Sequence, residues 1–161
     1  MSLSLDATQL DRYSRHVIMD EVGPEGQAAL LDAAVLVVGC GGLGAPVVQY
    51  LAAAGVGSLT LADDDVVERS NLQRQVIHAD ADVGVPKVES AADFVADLNP
   101  DVTVEPHERR LDPDNAEKLV ADYDLVVDAA DNFPTRYLLN DACRLADTPL
   151  VNGAVYKFEG Q

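Results

Sequence analysis

The fold of this 161-residue chain is indicated most clearly by one run of ten residues, Val35-Leu36-Val37-Val38-Gly39-Cys40-Gly41-Gly42-Leu43-Gly44. Its first four residues are apolar and mostly β-branched, which predicts a buried strand. The glycines follow directly in the spacing Gly39-x-Gly41-x-x-Gly44, and residues 45–54 after them predict a helix. In that setting, backbone N–H groups and the helix N-terminus together bind phosphate. The unit therefore indicates a nucleotide-binding protein; the alternative is a turn that only packs the helix against the sheet.

Strand and helix patterns alternate after this turn. We predict strands over 35–38, 58–62, 102–104, 125–128 and around 150–151, and helices over 45–54, 86–98, 112–121 and 134–146. Helices between strands provide the crossover connections that parallel strands need. The sequence therefore predicts an α/β, Rossmann-like doubly wound, mostly parallel sheet with helices on both faces, which binds its ligand at the carboxyl ends of the strands.

Two short helical patterns, 8–19 and 24–31, precede the first strand. We therefore divide the chain into an N-terminal helical arm, 1–33, and a Rossmann-like domain, 34–161. The last residues, 155–161, have an extended pattern of alternating apolar residues. Either they pair on a sheet edge or the chain is a fragment of a longer domain.

The charge balance restricts the partners. The chain has 28 acidic and 11 basic residues, a formal net charge of −17. Nucleic acid and anionic membranes are excluded as partners, because both are bound through clustered Lys and Arg. An acidic chain with only three lysines among its bases is typical of halophiles, and the alternative is an ordinary acidic cytosolic protein.

Residues 33–62 carry no charge but are not expected to cross a membrane, because six glycines and a proline interrupt them. The two cysteines, Cys40 and Cys143, stand 103 positions apart and form no CxxC pair, so no disulfide framework or zinc site is indicated. No secretory leader is recognisable, and we expect a cytoplasmic protein. The three histidines are scattered, and we assign them no role.

The segment between the second strand and the next helix carries the candidate binding residues. Asp63 ends the second strand, where an acidic residue binds ribose hydroxyls. Arg74 and Lys87 lie close to the expected pocket in a chain with few bases, which suggests that they neutralise a triphosphate. No P-loop sequence occurs. The alternative is that both are solvated surface charges.

The fourth strand ends at Asp128, and Asp131-Asn132 follow in the loop at the same edge of the sheet. A carboxylate there can hold Mg²⁺ on bound phosphates. It is equally possible from position alone that Asp131 or Asn132 only caps the next helix.

Six motifs in order resemble the ThiF/MoeB/HesA family, the prokaryotic relatives of ubiquitin-activating enzymes. They are Arg12-Tyr13-Ser14-Arg15, the glycine turn 39–44, Gly55-Val56-Gly57, Ser70-Asn71-Leu72-Gln73-Arg74-Gln75, Val83-Gly84-Val85-Pro86-Lys87 and Asp128-Ala129-Ala130-Asp131-Asn132. The resemblance implies an ATP-dependent adenylyltransferase. Members activate the C-terminal glycine carboxylate of a small ubiquitin-like protein ending in Gly-Gly, and they release pyrophosphate.

The resemblance also implies roles for single residues. Gly42 lines the nucleotide, Asp63 binds the ribose, Asp131 binds Mg²⁺, and Arg15 reaches into the partner's site in a homodimer. Ser70, Asn71, Arg74 and Lys87 surround the phosphates. The predicted nucleotide site therefore comprises Gly39, Gly41, Gly42, Gly44, Asp63, Asp65, Ser70, Asn71, Arg74, Lys87, Asp131 and Asn132. Residues expected to act in catalysis are Arg15, Asn71, Arg74, Lys87 and Asp131.

The sequence also departs from the family pattern. Members typically continue with further strands, two CxxC pairs for zinc and often a reactive cysteine, and no zinc ligands of that kind occur in this chain. Two other hypotheses stay open: an oxidoreductase domain that binds NAD or FAD, and a nucleotide-binding fragment without complete catalytic activity. The pathway that the protein serves is not predicted.

Overall fold

The structure, a computed structural model, describes residues 5–161. The described helices are α1 (Ala7–Arg12), α2 (Ser14–Val17), α3 (Gly23–Asp32), α4 (Gly44–Ala54), α5 (Lys87–Leu98), α6 (Ala116–Val120) and α7 (Phe133–Ala146). The strands are β1 (Ala34–Val38), β2 (Ser58–Asp63), β3 (Thr103–Glu108), β4 (Leu125–Asp128), β5 (Leu150–Asn152), β6 (Val155–Tyr156) and β7 (Glu159–Gly160). Short 3₁₀ helices lie at Arg69–Asn71 and Asp80–Asp82.

Five parallel strands form the central sheet in the order β3-β2-β1-β4-β5. The central strand β1 pairs on both sides, with Val37 opposite Leu61 of β2 and Val127 of β4. Strands β2 and β3 lie on one side of β1, and strands β4 and β5 lie on the other, so the strand order reverses between β1 and β4. Ligands of doubly wound sheets bind at the carboxyl ends of the strands on either side of this reversal. The predicted Rossmann-like fold is confirmed.

Alternate residues of β1 enter two separate cores, one on each face of the sheet. Val35 and Val37 pack against α4 and α5, whose apolar faces include Val48 and Val95. On the opposite face, Leu36 and Val38 pack against α6 and α7 in a cluster with Val120, Leu139 and Cys143. Both faces of the sheet are covered, which explains why β1 is apolar throughout rather than alternating.

The N-terminal helices pack on the sheet domain through a buried tyrosine. The pattern over 8–19 predicts one helix, but the structure has two, with a turn at Tyr13 between them. The Tyr13 hydroxyl accepts a 2.8 Å hydrogen bond from Asn99 Nδ2 and donates one of 3.1 Å to Asp101 Oδ2. This buried anchor accounts for the break. The arm and domain boundaries at 1–33 and 34–161 stay a prediction, and residues 1–4 of the arm lie outside the described part.

Two predicted elements differ from the structure by several residues at one end. Strand β3 extends to Glu108 instead of ending at residue 104, because it pairs with β2 along its whole length. Pro106 is tolerated in it because β3 is an edge strand. Helix α6 begins at Ala116 rather than at residue 112, since the Asp112 carboxylate accepts from the N–H groups of Asp114 and Asn115 and forms a turn.

The extended pattern over 155–161 forms a two-stranded hairpin, in which β6 and β7 pair with each other and not with the edge of the central sheet. Among the described residues, the helices are too short or too polar to span a bilayer.

Candidate nucleotide-binding site

A cavity of about 780 Å³ opens at the carboxyl ends of β1, β2 and β4. It lies at the point where the sheet reverses its direction of growth, as the fold predicts. Most of the predicted nucleotide-binding residues line it: Gly39, Gly41, Gly42, Asp63, Asp65, Asn71, Arg74, Lys87, Asp131 and Asn132. Gly44, Ser70 and Arg15 do not.

Two glycines of the turn are required by close backbone contacts. Gly39 has φ +97°, and a Cβ on it would lie 2.8 Å from the carbonyl oxygen of Ala129. A Cβ on Gly44 would lie 1.9 Å from the carbonyl oxygen of Gly39. Gly44 therefore allows α4 to start directly against the turn, and it serves packing in this structure. Gly41 and Gly42 present the surface of the turn that faces the cavity.

The backbone of Cys40 is held on both sides within the turn. Its N–H donates a 2.7 Å hydrogen bond to Asp63 Oδ2, and its carbonyl oxygen lies 3.2 Å from His78 Nε2. Asp63 Oδ1 accepts a further bond from the Asp65 N–H at 2.8 Å. Asp63 thus orders the glycine turn as well as lining the cavity. The Cys40 thiol is fully buried, and burial raises its pKa, which makes it an inert thiol.

The buried His78 contacts the glycine turn from the interior of the fold. The sequence alone predicts no role for it. Its Nδ1 lies 2.8 Å from Ser90 Oγ, which in turn lies 2.9 Å from Asp82 Oδ2. Burial lowers the pKa of His78, although the Cys40 carbonyl and Asp82 oppose this effect. The lowered pKa favours the neutral imidazole, and its Nε2 holds the Cys40 carbonyl in place.

Arg74 lines the cavity and lies directly against the glycine turn. A Cβ on Gly42 would lie 3.3 Å from Arg74 Nε, so the guanidinium packs directly over this glycine. Arg74 Nη1 also donates to the Ser70 carbonyl oxygen at 3.4 Å. Asn71, whose Oδ1 accepts from the Glu68 N–H, is the buried last residue of the 3₁₀ helix Arg69–Asn71, which precedes Arg74. The segment thus presents its arginine to the turn.

Lys87 enters the cavity from the first turn of α5. Its ammonium lies 2.7 Å from Asp65 Oδ2, and its side chain is 7% exposed while that of Asp65 is 67% exposed. The backbone N–H of Lys87 also donates to the Asp65 carbonyl oxygen at 3.0 Å. A buried cation with an accessible partner can accept a second anion from the cavity side.

The two candidate residues after β4, the acid Asp131 and the amide Asn132, have separate roles. Asn132 is the N-cap of α7, because its Oδ1 accepts from the Thr135 N–H at 3.0 Å. Asp131 is exposed and lines the cavity, and its carboxylate accepts no hydrogen bond within residues 5–161. The capping alternative is therefore realised by Asn132, which leaves the Asp131 carboxylate available to a ligand.

Ser70 and Arg15 lie elsewhere. The Ser70 hydroxyl donates to Glu68 Oε2 at 3.2 Å, on the outer side of the segment. Arg15 is exposed on α2 and does not reach the cavity of its own chain. This position is compatible with the role in a partner's site that the resemblance implies.

Asp63, Asp64 and Asp65 place carboxylate oxygens within 4.8 Å of one another. The Asp63 carboxylate accepts from the backbone N–H groups of Cys40 and Asp65, and the Asp65 carboxylate pairs with the Lys87 ammonium. Two of the three carboxylates thus have structural partners among the described residues.

Sequence reasoning missed four residues at or beside the cavity. Arg109 and Arg110 line it from the loop after β3, and Gln75 is buried next to Gly41. Arg136 joins the loops after β4 and β5, since its Nη2 donates to the carbonyl oxygens of Ala130 and Gly153. The adjacent arginines 109 and 110 could have indicated an anion-binding position, because the chain has few basic residues. They were missed because the third strand was predicted to end at residue 104, which placed both arginines too far from the sheet edge.

The buried Asp128 carboxylate holds the loop after β4 and the end of β5 together through hydrogen bonds. It is completely buried at the end of β4, where it accepts from the Ala130 N–H and from Asn152 Nδ2. Burial raises the pKa of its carboxyl group. Asp128 thus holds the start of the Asp131 loop without facing the ligand cavity.

A parallel 3-2-1-4-5 sheet, with a glycine turn and facing cations at the carboxyl ends of its strands, defines the class of Rossmann-like nucleotide-binding proteins. Within that class the chain belongs to the ThiF family, whose model matches residues 13–161.

Several characterised relatives are similar over nearly the whole chain. The SAMP-activating enzyme E1 of Haloferax volcanii is 72% identical over 161 residues, which is 100% of this chain and 60% of that protein. The sulfur carrier protein adenylyltransferase of Thermus thermophilus is 56% identical over 153 residues, 95% of this chain and 56% of that protein. The chain therefore spans less than two thirds of the length of these relatives.

Solved structures share the fold. The tRNA N6-threonylcarbamoyladenosine dehydratase TcdA of E. coli in complex with ATP superposes with a TM-score of 0.87 at 28% identity, over 96% of this chain and 65% of that one. E. coli MccB with ATP superposes with a TM-score of 0.82 at 31% identity, over 92% of this chain and 46% of that one.

Proposed function

We propose that this protein catalyses the ATP-dependent adenylation of the C-terminal glycine carboxylate of a small ubiquitin-like sulfur-carrier protein, with release of pyrophosphate. The observation that carries the proposal is that Arg74 and Lys87 line the same cavity as the glycine turn, with Arg74 packed against Gly42 and Lys87 paired with Asp65. Two cations at a phosphate-binding turn suit a triphosphate better than the pyrophosphate bridge of NAD or FAD.

The names of similar proteins support the nucleotide and the substrate class. A relative is called a sulfur carrier protein adenylyltransferase, and another is called a SAMP-activating enzyme E1. Two structures with the same fold contain ATP. These descriptions favour ATP and a protein carboxylate over a dinucleotide and a small substrate.

The reaction follows from the charges in the cavity. A carboxylate oxygen of the carrier attacks the α-phosphorus, a new P–O bond forms, the bond to the bridging oxygen of the β-phosphate breaks, and pyrophosphate departs. Two anions must approach each other, so Arg74 and Lys87 screen their repulsion and stabilise the leaving group. No general base is needed, because the attacking carboxylate is already ionised.

Asp131 is the residue that fits a magnesium ion. Its carboxylate is exposed in the cavity and has no internal hydrogen bond among residues 5–161, and Mg²⁺ prefers one or two carboxylates together with water and phosphate oxygens. A bound Mg²⁺ supplies charge neutralisation on the phosphates. Asp128 and Arg136 then act by fixing the loop that carries Asp131.

We propose further that the protein is a cytoplasmic homodimer in which Arg15 of each chain approaches the other chain's site. Arg15 is exposed and free of the cavity of its own chain, which leaves it available for this contact. Residues 34–161 form the ATP-binding part in this proposal, and the helical arm carries the arginine that the partner uses.

The test is exchange of labelled pyrophosphate into ATP, driven by a small carrier protein that ends in Gly-Gly. We expect exchange that requires the carrier's last glycine and Mg²⁺, and its loss in Asp131→Ala and Arg74→Ala. Exchange undiminished in both variants would show that the site is assigned wrongly. Nucleotide binding with no exchange under any condition would favour a scaffold without catalytic activity.

A further inference from the structure

Gln75 is a buried amide with no internal partner. It is 2% exposed and lines the cavity, and its Oε1 is enclosed and accepts no hydrogen bond from the described residues. Its backbone is well ordered, since the Gln75 N–H donates to the Asn71 carbonyl oxygen at 3.0 Å. The fold thus holds the Gln75 side chain in place although its enclosed Oε1 accepts no hydrogen bond from the described residues.

Two consecutive side chains contact two consecutive glycines of the turn. Gln75 Nε2 lies 3.6 Å from the point where a Cβ of Gly41 would be, and Arg74 Nε lies 3.3 Å from the corresponding point of Gly42. Both side chains therefore face the surface on which a phosphate group binds. A ligand oxygen that contacts the turn at Gly41 comes within reach of the Gln75 amide.

An apolar side chain of similar volume would be the more stable choice for this position. A buried amide without hydrogen bonds destabilises the folded state, whereas methionine or leucine at the same place would fill the space at no such cost. An acceptor oxygen of a ligand at the turn would give Nε2 a hydrogen bond that the described residues do not supply, whereas the enclosed Oε1 stays without one. The donor of the amide is on the turn side, and phosphate oxygens are acceptors.

We propose that Gln75 Nε2 donates an uncharged hydrogen bond to a phosphate oxygen of the nucleotide bound at Gly41. This inference rests on the proposed function, because it takes ATP as the ligand of the cavity. The contact adds to those of Arg74 and Lys87 a donor that carries no net charge.

The uncharged donor has a consequence at high salt. Screening shortens the reach of charges to about 3 Å at 1 M salt, which weakens the attraction of exposed Arg74 to phosphate. A hydrogen bond from a neutral, buried amide depends on contact and not on long-range attraction. In a chain with net charge −17, whose acidic surface is itself suited to concentrated salt, this contact keeps the phosphate site effective.

The experiment is calorimetric titration of the protein with Mg·ATP and with adenosine, at about 0.2 M and about 2 M KCl. The variants are Gln75→Met and Gln75→Leu, which keep the volume, together with Arg74→Ala. Gln73→Met is the matched control, since Gln73 is exposed and does not line the cavity. Thermal unfolding shows which variants are folded.

We expect both Gln75 variants to melt at or above the wild-type temperature and to bind Mg·ATP about 5- to 20-fold more weakly at both salt concentrations, with unchanged affinity for adenosine. The defect of Arg74→Ala shrinks at the higher salt. Gln73→Met binds like the wild type.

Wild-type affinity for Mg·ATP in a folded Gln75 variant would overturn the inference, and so would an equal loss for adenosine, which would indicate a structural role. Either result leaves the proposed function intact as long as Arg74→Ala weakens ATP binding. A wild-type protein that binds no Mg·ATP would overturn both.

Discussion

The Lys87 ammonium and the Asp65 carboxylate lie 2.7 Å apart at the edge of the cavity, with the lysine buried and the aspartate exposed. The lysine is therefore fixed by its partner within the fold, at the edge of the cavity. Under the proposed function, an anion that enters the cavity meets a cation whose desolvation cost is already part of the folded state.

Replacement of Lys87 by methionine should weaken Mg·ATP binding without unfolding the protein. We expect the dissociation constant for Mg·ATP to rise about 10-fold or more, since a charge-assisted contact is lost. The free energy of unfolding should change by less than about 1 kcal/mol, because methionine keeps the stem and Asp65 is exposed to water. Lys118→Met on the exposed surface of α6 is the control. Unaltered ATP affinity in Lys87→Met would remove this residue from the site.

Two arginines five positions apart allow a matched comparison. Arg74 packs over Gly42, whereas Arg69 pairs with Asp80 on the surface, outside the cavity. Arg74→Ala should weaken Mg·ATP binding about 10- to 100-fold, and Arg69→Ala should leave it unchanged. Equal effects of the two variants in calorimetric titration would mean that general charge, rather than position, determines binding.

Alanine at two glycines of the turn should separate folding from binding. Gly44→Ala places a methyl group against the Gly39 carbonyl oxygen and should lower the free energy of unfolding by about 3 kcal/mol or more. Gly42→Ala meets only the flexible Arg74 side chain, so the protein should fold. It should bind ATP about 10-fold more weakly, because the methyl group displaces the guanidinium that we expect to contact the phosphate. Chemical denaturation and titration check the pair, and normal ATP binding by Gly42→Ala would contradict the assignment.

The stability of the protein should fall on mild acidification because of His78. Burial lowers the pKa of this residue below its ordinary value near 6.5, so the unfolded state takes up a proton more readily than the folded state. Its contribution is complete above about pH 6.5 and is lost as the pH falls toward the folded-state pKa.

Denaturant unfolding of the wild type and His78→Gln between about pH 7.5 and about pH 5.5 checks this expectation. The stability of the wild type should decline more steeply than that of the variant. His16 and His107 are common to both proteins, so the difference reports His78. Parallel pH profiles would contradict a neutral, buried imidazole.

The sequence was sufficient for the fold because its signals are local. An apolar β1, the glycine turn and the alternating patterns each specify a short element, and their order permits few topologies. The N-terminal break at Tyr13 was not predictable in this way. It depends on contacts with Asn99 and Asp101, far along the chain.

The positions of Asp63, Arg74 and Asp131 at the cavity were predictable, because these residues follow directly from strand ends or motifs. Arg109 was missed because the third strand was predicted only over 102–104, whereas it continues along the sheet edge to Glu108. Arg136 and Gln75 were missed because their importance lies in what they contact. The carbonyl oxygens that Arg136 joins belong to separate loops, and the absence of a partner for the Gln75 amide is visible only in three dimensions.

Under the proposed function, Arg74 and Lys87, two of the few cations in an acidic chain, bind one triphosphate at the glycine turn. A crystal structure of the protein with Mg²⁺ and a non-hydrolysable ATP analogue is the decisive test. We predict that the triphosphate lies at the turn beside Gly41 and Gly42 and contacts the side chains of Arg74 and Lys87, with the metal ion at Asp131. A nucleotide bound elsewhere, or bound at the turn with Arg74 and Lys87 directed away from its phosphates, would contradict the account.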